Sequence, residues 1–274
     1  MKLFKDDRNA HVMASPYMAW AFIFIVVPLC MVIYYGLTNA DGAFTFDNIT
    51  TILKPGYLKA LKRSVILAII STLVCFLLAY PLGMILASMK LRKNAYIITL
   101  FILPMWMNFL LRTLTWMTLL EGKGVINTIL DFLHLPTLNI INTPGAIVLG
   151  MVYNFLPFMI LPIYNALNRI DENVINAARD LGADSFQTFC RITLPLSMPG
   201  ILSGITMVFI PALTTFAIST MLGGSKILLI GNIIEQEFTQ LYDWHLGSGL
   251  SIVLMVFILL NMIIENLSDN GGNS

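Results

Sequence analysis

The chain has 274 residues, of which 57% are hydrophobic and 11% charged, and its formal net charge is +1. Soluble domains carry about 25% charged residues, so the composition disfavours a soluble enzyme and a disordered regulator. The near-neutral charge also disfavours a basic nucleic-acid-binding protein. The three cysteines, Cys30, Cys75 and Cys190, are too few and too scattered for a disulfide framework or a metal cluster. The composition therefore predicts a chain whose surface faces lipid.

Uncharged apolar runs predict six transmembrane helices, because a helix needs about 20 mostly apolar residues to cross a bilayer. The runs are 12–40, 64–89, 94–120 (interrupted by Arg112), 132–168 (most apolar at 144–167), 192–225 and 245–264. The apolar piece 227–234 is too short to cross, and we expect it to be a buried re-entrant or interfacial segment. The predicted fold class is all-α, a polytopic membrane protein with six transmembrane helices in a single domain over 1–274.

The lysines and arginines predict the orientation, since cytoplasmic loops carry the excess of positive charge. With the N-terminus inside, nine of them fall on the inner side and six on the outer side. Both termini are therefore predicted to be cytoplasmic. The first uncharged run is long for a signal peptide, so we expect a retained first helix, with a cleaved signal as the alternative.

Chemical motifs of enzymes are missing from the sequence. We find no metal-binding His pair, no nucleophile elbow and no phosphate-binding glycine loop. We therefore expect no catalytic residue, no metal and no cofactor in this chain, so that an ion gradient or a partner must drive any uphill transport. Arg112, the one charge within a span, lies about 27 Å along the third run and is predicted to be an interfacial anchor that snorkels, with gating as the alternative.

Two glycines on the fifth run predict a close helix contact. Gly200 and Gly204 are four residues apart, and small residues at this spacing let another helix approach. Proline within the predicted spans further indicates kinked helices.

The polar stretch 168–195 predicts two short cytoplasmic helices. Asp171 can cap a helix that runs through Arg179 or beyond, and Gly182 can end it in a left-handed conformation. Asp184 or Ser185 can start the second helix, and Pro195 marks the start of the fifth span. The small side chains at this corner leave room for another protein.

The motif Asn176-Ala177-Ala178, followed by Gly182 and by Ile192-x-Leu194-Pro195, resembles the EAA loop of ABC-importer permeases. That resemblance implies a coupling helix that docks into a groove of a cytoplasmic ATPase; a loop without a partner is the alternative. The implied coupling residues are Asn176, Ala177, Ala178, Asp180, Leu181, Gly182, Ala183 and Pro195. The sequence departs from the motif at Asn176, where the family has glutamate, which puts one polar contact in doubt.

Further segments, at 103–116, 156–164, 222–226 and 230–234, resemble PotB-type permeases of spermidine/putrescine importers. The resemblance implies a type I, MetI-like permease of the bacterial inner membrane that works by alternating access. The implied partners are a second, PotC-like permease, a PotA-like ATPase dimer that binds ATP and Mg, and an extracytoplasmic PotD-like polyamine-binding protein.

A polyamine is a polycation, which aromatic faces and carboxylates bind best. We expect Trp106 and Tyr153 to line the substrate path, with Asn108 and Asn154 as hydrogen-bonding neighbours and the acids supplied by the partner permease. Two alternatives stay open: a permease of the same class for iron, thiamine or sulfate, and a membrane assembly subunit that transports nothing.

Overall fold

The computed structural model describes residues 15–88 and 103–271. Within these ranges the chain is helical and contains no strand beyond one isolated bridge between Thr38 and Phe44. The helices are α1 (Ser15–Gly36), α2 (Asp47–Thr50), α3 (Pro55–Ser88), α4 (Phe109–Leu120), α5 (Val125–Phe132), α6 (Pro144–Leu167), α7 (Glu172–Asp180), α8 (Ser185–Thr214), α9 (Ala217–Gly223), α10 (Ile230–Thr239) and α11 (Trp244–Gly271). The fold is thus all-α, as predicted.

Five of these helices are long and apolar enough to cross a membrane: α1, α3, α6, α8 and α11. They coincide with five of the six predicted spans. Large apolar side chains stand exposed along them, which is the expected state of helices that face lipid rather than water.

The third predicted span differs from the structure in its second half. A 3₁₀ turn over Leu103–Trp106 and the helix α4 replace one continuous helix, while residues 89–102 lie outside the described part of the chain. The side chain of Asn108 causes the break, because its Oδ1 accepts hydrogen bonds from the backbone N–H groups of Leu110 and Leu111 and so starts a new helix. At 12 residues, α4 alone is too short to cross a bilayer.

The fifth predicted span also has different bounds. It begins at Ser185 rather than near Pro195, because a π-helical turn over Phe189–Thr193 joins the second short helix to the membrane span without a break. It ends at Thr214, after which Thr215 is extended and α9 begins a separate element.

The described residues form two compact units: unit 1 within 1–58 and 234–257, and unit 2 within 59–233 and 258–274. The single domain expected from the sequence stays a prediction.

Close packing of α6 against α8 organises unit 2. A Cβ on Gly200 would lie 2.6 Å from the Pro162 carbonyl oxygen, and one on Gly204 would lie 2.7 Å from the Met159 sulfur. The predicted close approach at these two glycines is therefore confirmed. Gly83 brings α3 to the same region of α6, where an added Cβ would lie 3.0 Å from Ile163.

The short apolar piece 227–234, predicted to be a buried re-entrant or interfacial segment, is buried at its centre, within unit 2. Leu229 and Ile230 are fully buried. Asn232 connects the chain around them: its Oδ1 accepts from the Ser219 hydroxyl at 2.6 Å, and its Nδ2 donates to the Thr220 hydroxyl at 2.7 Å and to the Phe216 carbonyl at 3.1 Å. These bonds hold α9 and α10 together. Both are short helices that follow the membrane-spanning helix α8 in the chain.

In unit 1, α11 packs against the end of α1 and against α2. A Cβ on Gly249 would lie 2.6 Å from Asn48. The Asn48 side chain donates to the Thr38 carbonyl at 2.9 Å, and His245 Nδ1 donates to the same oxygen at 2.7 Å. The same two side chains also reach carbonyl groups at the end of α1: Asn48 donates to the Gly36 carbonyl at 3.3 Å, and His245 Nδ1 lies 3.1 Å from the Tyr35 carbonyl.

Candidate functional site

The predicted coupling loop, residues 168–195, contains α7 and the start of α8, and each of these helices has a capped start. The Asp171 carboxylate accepts from the Asn173 N–H at 2.9 Å and starts α7, and the Asp184 carboxylate accepts from the Gln187 N–H at 2.7 Å and starts α8. The Asp171 cap was predicted from the sequence, and Asp184 was one of the two residues, with Ser185, predicted to start the second helix. Both caps follow from the preference of carboxylates for free N–H groups at helix starts. The caps fix where each helix begins and therefore the length of the corner between them.

Gly182 forms that corner. Its φ of +88° lies in the left-handed region, as predicted. The Gly182 N–H donates to the Arg179 carbonyl at 2.9 Å, and the Ala183 N–H donates to the Ala178 carbonyl at 3.0 Å. These two bonds are the Schellman arrangement, which ends a helix with a sharp reversal of direction.

The corner exposes apolar side chains. Leu181 is 89% exposed, Phe186 is 73% exposed and Val174 is 44% exposed. The sequence analysis placed Leu181 among the coupling residues but missed Phe186 and Val174, because it weighed the charged and small residues of this loop. Exposed apolar side chains on a polar loop are typical of a docking surface.

The other predicted coupling residues surround this corner. Asn176, Ala177, Asp180 and Pro195 are exposed, Ala183 is half-buried, and Ala178 is buried against the loop. Asn176 therefore points its amide to the surface, where the family pattern has a carboxylate. The geometry leaves the loop open to a partner without further rearrangement of these side chains.

The predicted path residues fall into two groups. Trp106 is 80% exposed at the end of the 3₁₀ turn, and the neighbouring Asn108 uses its side chain to cap α4. Tyr153 and Asn154 lie on α6, where the Tyr153 ring packs edge-on against Trp116, with the ring centroids 5.2 Å apart. The structure thus pairs Tyr153 with Trp116, a contact that the sequence did not indicate.

Asn154 is almost completely buried between α4 and α6. Its Nδ2 donates to the Gly150 carbonyl at 2.9 Å and reaches the Thr113 hydroxyl at 3.5 Å, while its Oδ1 has no hydrogen-bond partner. A buried acceptor without a donor costs about 1–3 kcal/mol, so this position is polar at a cost to stability.

Arg112 is buried, contrary to the prediction of a snorkelling anchor. Only 8% of its surface is exposed, and neither Nε nor Nη1 has a hydrogen-bond partner. The prediction was wrong because it measured the position of Arg112 along one helix from residue 94. In the structure Arg112 lies in the first turn of α4, which packs against α6 and α9.

Glu237 is a buried acid that the sequence analysis did not single out. It is 5% exposed, and its Oε1 accepts a long hydrogen bond of 3.4 Å from the Tyr57 hydroxyl. Burial raises the pKa of its carboxyl above the ordinary range, and the nearby Asp243 charge raises it further. Nothing in the local sequence distinguishes this glutamate from the partly buried Glu235 two residues earlier on the same helix.

The described residues contain no group of three or more side chains placed to hold a metal ion. Cys30, Cys75 and Cys190 are all unpaired.

The described fold, a set of long apolar helices with a capped polar loop, is that of a multi-pass membrane protein. Residues 79–270 match the family of binding-protein-dependent transport system inner membrane components, and the chain belongs to that family. It is therefore the permease component of an ABC importer.

Two curated relatives share most of the chain. The spermidine/putrescine transport system permease protein PotB of Escherichia coli (strain K12) is 38% identical over 253 residues, which cover 89% of this chain and 92% of that protein. PotB of Haemophilus influenzae is 36% identical over 255 residues, which cover 90% of this chain and 89% of that protein.

Solved structures show the same fold. A bacterial ABC transporter that imports the acidic polysaccharide alginate has a chain that superposes with a TM-score of 0.76 at 20% identity, covering 97% of this chain and 99% of that one. The MetNI methionine ABC transporter gives a TM-score of 0.57 at 18% identity, covering 78% of this chain and 95% of that one. The architecture is thus that of MetI-like importer permeases.

Proposed function

We propose that the chain is the permease subunit of an ATP-driven importer that moves spermidine or putrescine across the bacterial cytoplasmic membrane by alternating access. The observation that carries the substrate class is the 38% identity with PotB, which extends over 89% of the chain. The fold alone supports no particular substrate, since the alginate transporter has it too.

The coupling loop is the proposed contact with an ATPase dimer, which binds ATP and Mg and performs the hydrolysis. The Schellman corner at Gly182 is rigid, and the exposed Leu181 at its tip is a suitable anchor for a hydrophobic pocket. A rigid corner of this kind transmits a displacement of the ATPase to α7 and α8 without absorbing it. The permease itself carries no catalytic role in this proposal.

The further partners are a second permease of the PotC type and an extracytoplasmic binding protein of the PotD type. Both termini lie in the cytoplasm in this arrangement, which puts the coupling loop on the same side as the ATPase. The loops at 37–54 and 224–244 then face outward, toward the binding protein.

Trp106, Asn108, Tyr153 and Asn154 remain the proposed path residues. The exposed Trp106 and the partly exposed Tyr153 offer ring faces to an ammonium group, whereas Asn154 has a free carbonyl oxygen. The Asn108 side chain is engaged as a helix cap, so its part in the path is to position Trp106.

Uptake of radiolabelled spermidine tests the proposal. We expect cells that lack other polyamine importers to take up spermidine only when this chain is expressed with its ATPase, second permease and binding protein. Thiamine, sulfate and ferric iron serve as control solutes. Uptake of one of these in place of spermidine would assign a different substrate, and spermidine uptake that does not depend on the chain would contradict the proposal.

A further inference from the structure

Unit 1 contains an open cavity of about 570 Å³ between the end of α1 and the start of α11. Pockets that hold small molecules range from about 300 to 1,000 Å³, so the size is sufficient for one end of a flexible ligand. The chemically active lining consists of Tyr35, Tyr242, Asp243, Trp244 and His245, and among the described residues no lysine or arginine lines it.

The aromatic wall is held in place by ring contacts. The Tyr35 ring lies edge-on to His245 with the centroids 5.3 Å apart, and 6.3 Å from the ring of Trp244. Trp244 also packs against Phe238, yet about half of its surface stays exposed. These contacts fix the Trp244 indole and leave part of its surface exposed.

Tyr242 completes the wall at an energetic cost. Its φ is +56°, in the left-handed region, which is rare and strained for a bulky side chain. The Tyr242 side chain is 71% exposed, so burial of this ring does not offset the strain.

The hydrogen bonds of the cavity give it an acceptor character. His245 Nδ1 lies 2.7 Å from the Thr38 carbonyl and 3.1 Å from the Tyr35 carbonyl, so Nδ1 carries the proton and Nε2 of the neutral ring is an acceptor. The Asp243 carboxylate accepts one bond from the Leu246 N–H at 2.9 Å and keeps acceptor capacity on its other oxygen.

A second acid, Glu237, lies close enough to Asp243 for the two charges to interact. Burial raises the pKa of the Glu237 carboxyl, the Asp243 charge raises it further, and Tyr57 donates the one hydrogen bond described for it. A cation in the cavity would reduce the repulsion between the Glu237 and Asp243 carboxylates.

We propose that this cavity is an outer subsite for one terminal ammonium group of an organic cation. Asp243 supplies the counter-charge, Trp244 and Tyr35 supply ring faces, and His245 Nε2 accepts one ammonium N–H. A hard metal ion is disfavoured, because it requires several oxygen ligands that the rings cannot provide. This inference rests on the proposed function and deepens it, since it puts an acidic contact for the substrate on this subunit, where the sequence analysis expected acids only from the partner permease.

Charge-removing and ring-removing variants test the subsite in the complete transporter. Asp243→Asn keeps the helix cap because asparagine also accepts from the Leu246 N–H, but it removes the charge. Trp244→Leu removes the ring, and Trp244→Phe keeps a weaker one. We expect the KM for spermidine uptake to rise roughly 2- to 30-fold in Asp243→Asn and Trp244→Leu, less in Trp244→Phe, with little change in kcat.

Asp131→Asn is the matched control, since Asp131 is an exposed acid on α5 that does not line the cavity. A KM within twofold of wild type in both Asp243→Asn and Trp244→Leu would overturn the subsite while leaving spermidine transport intact.

A binding titration separates this outcome from failure of the proposed function. In the purified transporter, spermidine is expected to change the indole fluorescence, and Trp244→Phe should reduce that change, with Trp106 of the proposed path as the other indole that can contribute. If wild type transports no spermidine, the proposed function fails, and the titration still decides the subsite: a signal that does not depend on Trp244 and Asp243 would overturn it.

Discussion

Glu237 combines burial with a poorly compensated charge. Its carboxylate is 5% exposed, its hydrogen bond from Tyr57 is long, and Asp243 repels it. Burial and the Asp243 charge each disfavour the ionised form of Glu237, and only the hydrogen bond from Tyr57 favours it. The folded protein therefore binds a proton at this carboxyl more tightly than the unfolded chain does.

We predict that Glu237→Gln stabilises unit 1 at neutral and alkaline pH. A raised pKa in the folded state means that the contribution to stability is complete below the unfolded pKa, about 4.3, and is lost as the pH rises through the folded value. Glutamine mimics the protonated acid and can still accept from Tyr57. The Tm of the variant in detergent should exceed that of wild type at pH 8, and the difference should shrink toward pH 5.

Glu235→Gln on the same helix is the control, because Glu235 is only partly buried and is hydrogen-bonded to Thr239. A Tm difference for Glu237→Gln that does not depend on pH would show that the charge is not the cause of the instability.

Single residues were predictable from the sequence where their effect is local. Asp171 and Gly182 were assigned correctly, and the second cap was narrowed to Asp184 or Ser185, because caps and left-handed corners depend on the few residues around them. Arg112 and Glu237 were not, since the burial of a charged side chain depends on which helices pack around it.

At the scale of elements, the contact between α6 and α8 depends on the absence of side chains. Gly200 lies against the backbone of Pro162 and against Ala166, and the carbonyl oxygen of Pro162 cannot move without bending α6. A methyl group at this position would push the two helices apart along their whole contact.

We predict that Gly200→Ala destabilises unit 2 by about 1–3 kcal/mol, the usual cost of overpacking a tight core. Gly56→Ala on α3 is the matched control, because a Cβ there meets nothing within 4 Å and alanine favours the helix by about 0.5–1 kcal/mol. Thermal unfolding in detergent measures both. Equal Tm values for the two variants would contradict the role of Gly200 in the contact.

Element types followed from the apolar runs, but element ends did not. Hydropathy counts the residues available to cross a bilayer, and it cannot register a side chain such as Asn108 that ends one helix by starting the next. Hydropathy likewise could not predict the separation of α9 from α8, because the backbone becomes extended at Thr215 within an uncharged and apolar stretch.

At the scale of the whole molecule, the predicted coupling loop differs from the membrane spans because it combines many charged residues with an exposed apolar side chain. The seven charged residues between 169 and 191 are all exposed. Leu181 lies in the same stretch of the chain, and almost the entire surface of this apolar side chain is exposed. In the proposed function the permease receives its energy from a partner, and this loop is the surface that would contact it.

We predict that Leu181→Asp separates the permease from its ATPase without unfolding it. The side chain is 89% exposed, so the substitution should change stability by less than about 0.5 kcal/mol. An aspartate forced into an apolar pocket loses the anchor and buries a charge, and we expect at least a tenfold loss of ATPase co-purification together with loss of uptake. Leu53→Asp is the matched control: Leu53 is 69% exposed and lies in the loop proposed to face outward. ATPase that co-purifies equally with both variants would show that the corner at Gly182 is not where the energy of hydrolysis enters this subunit.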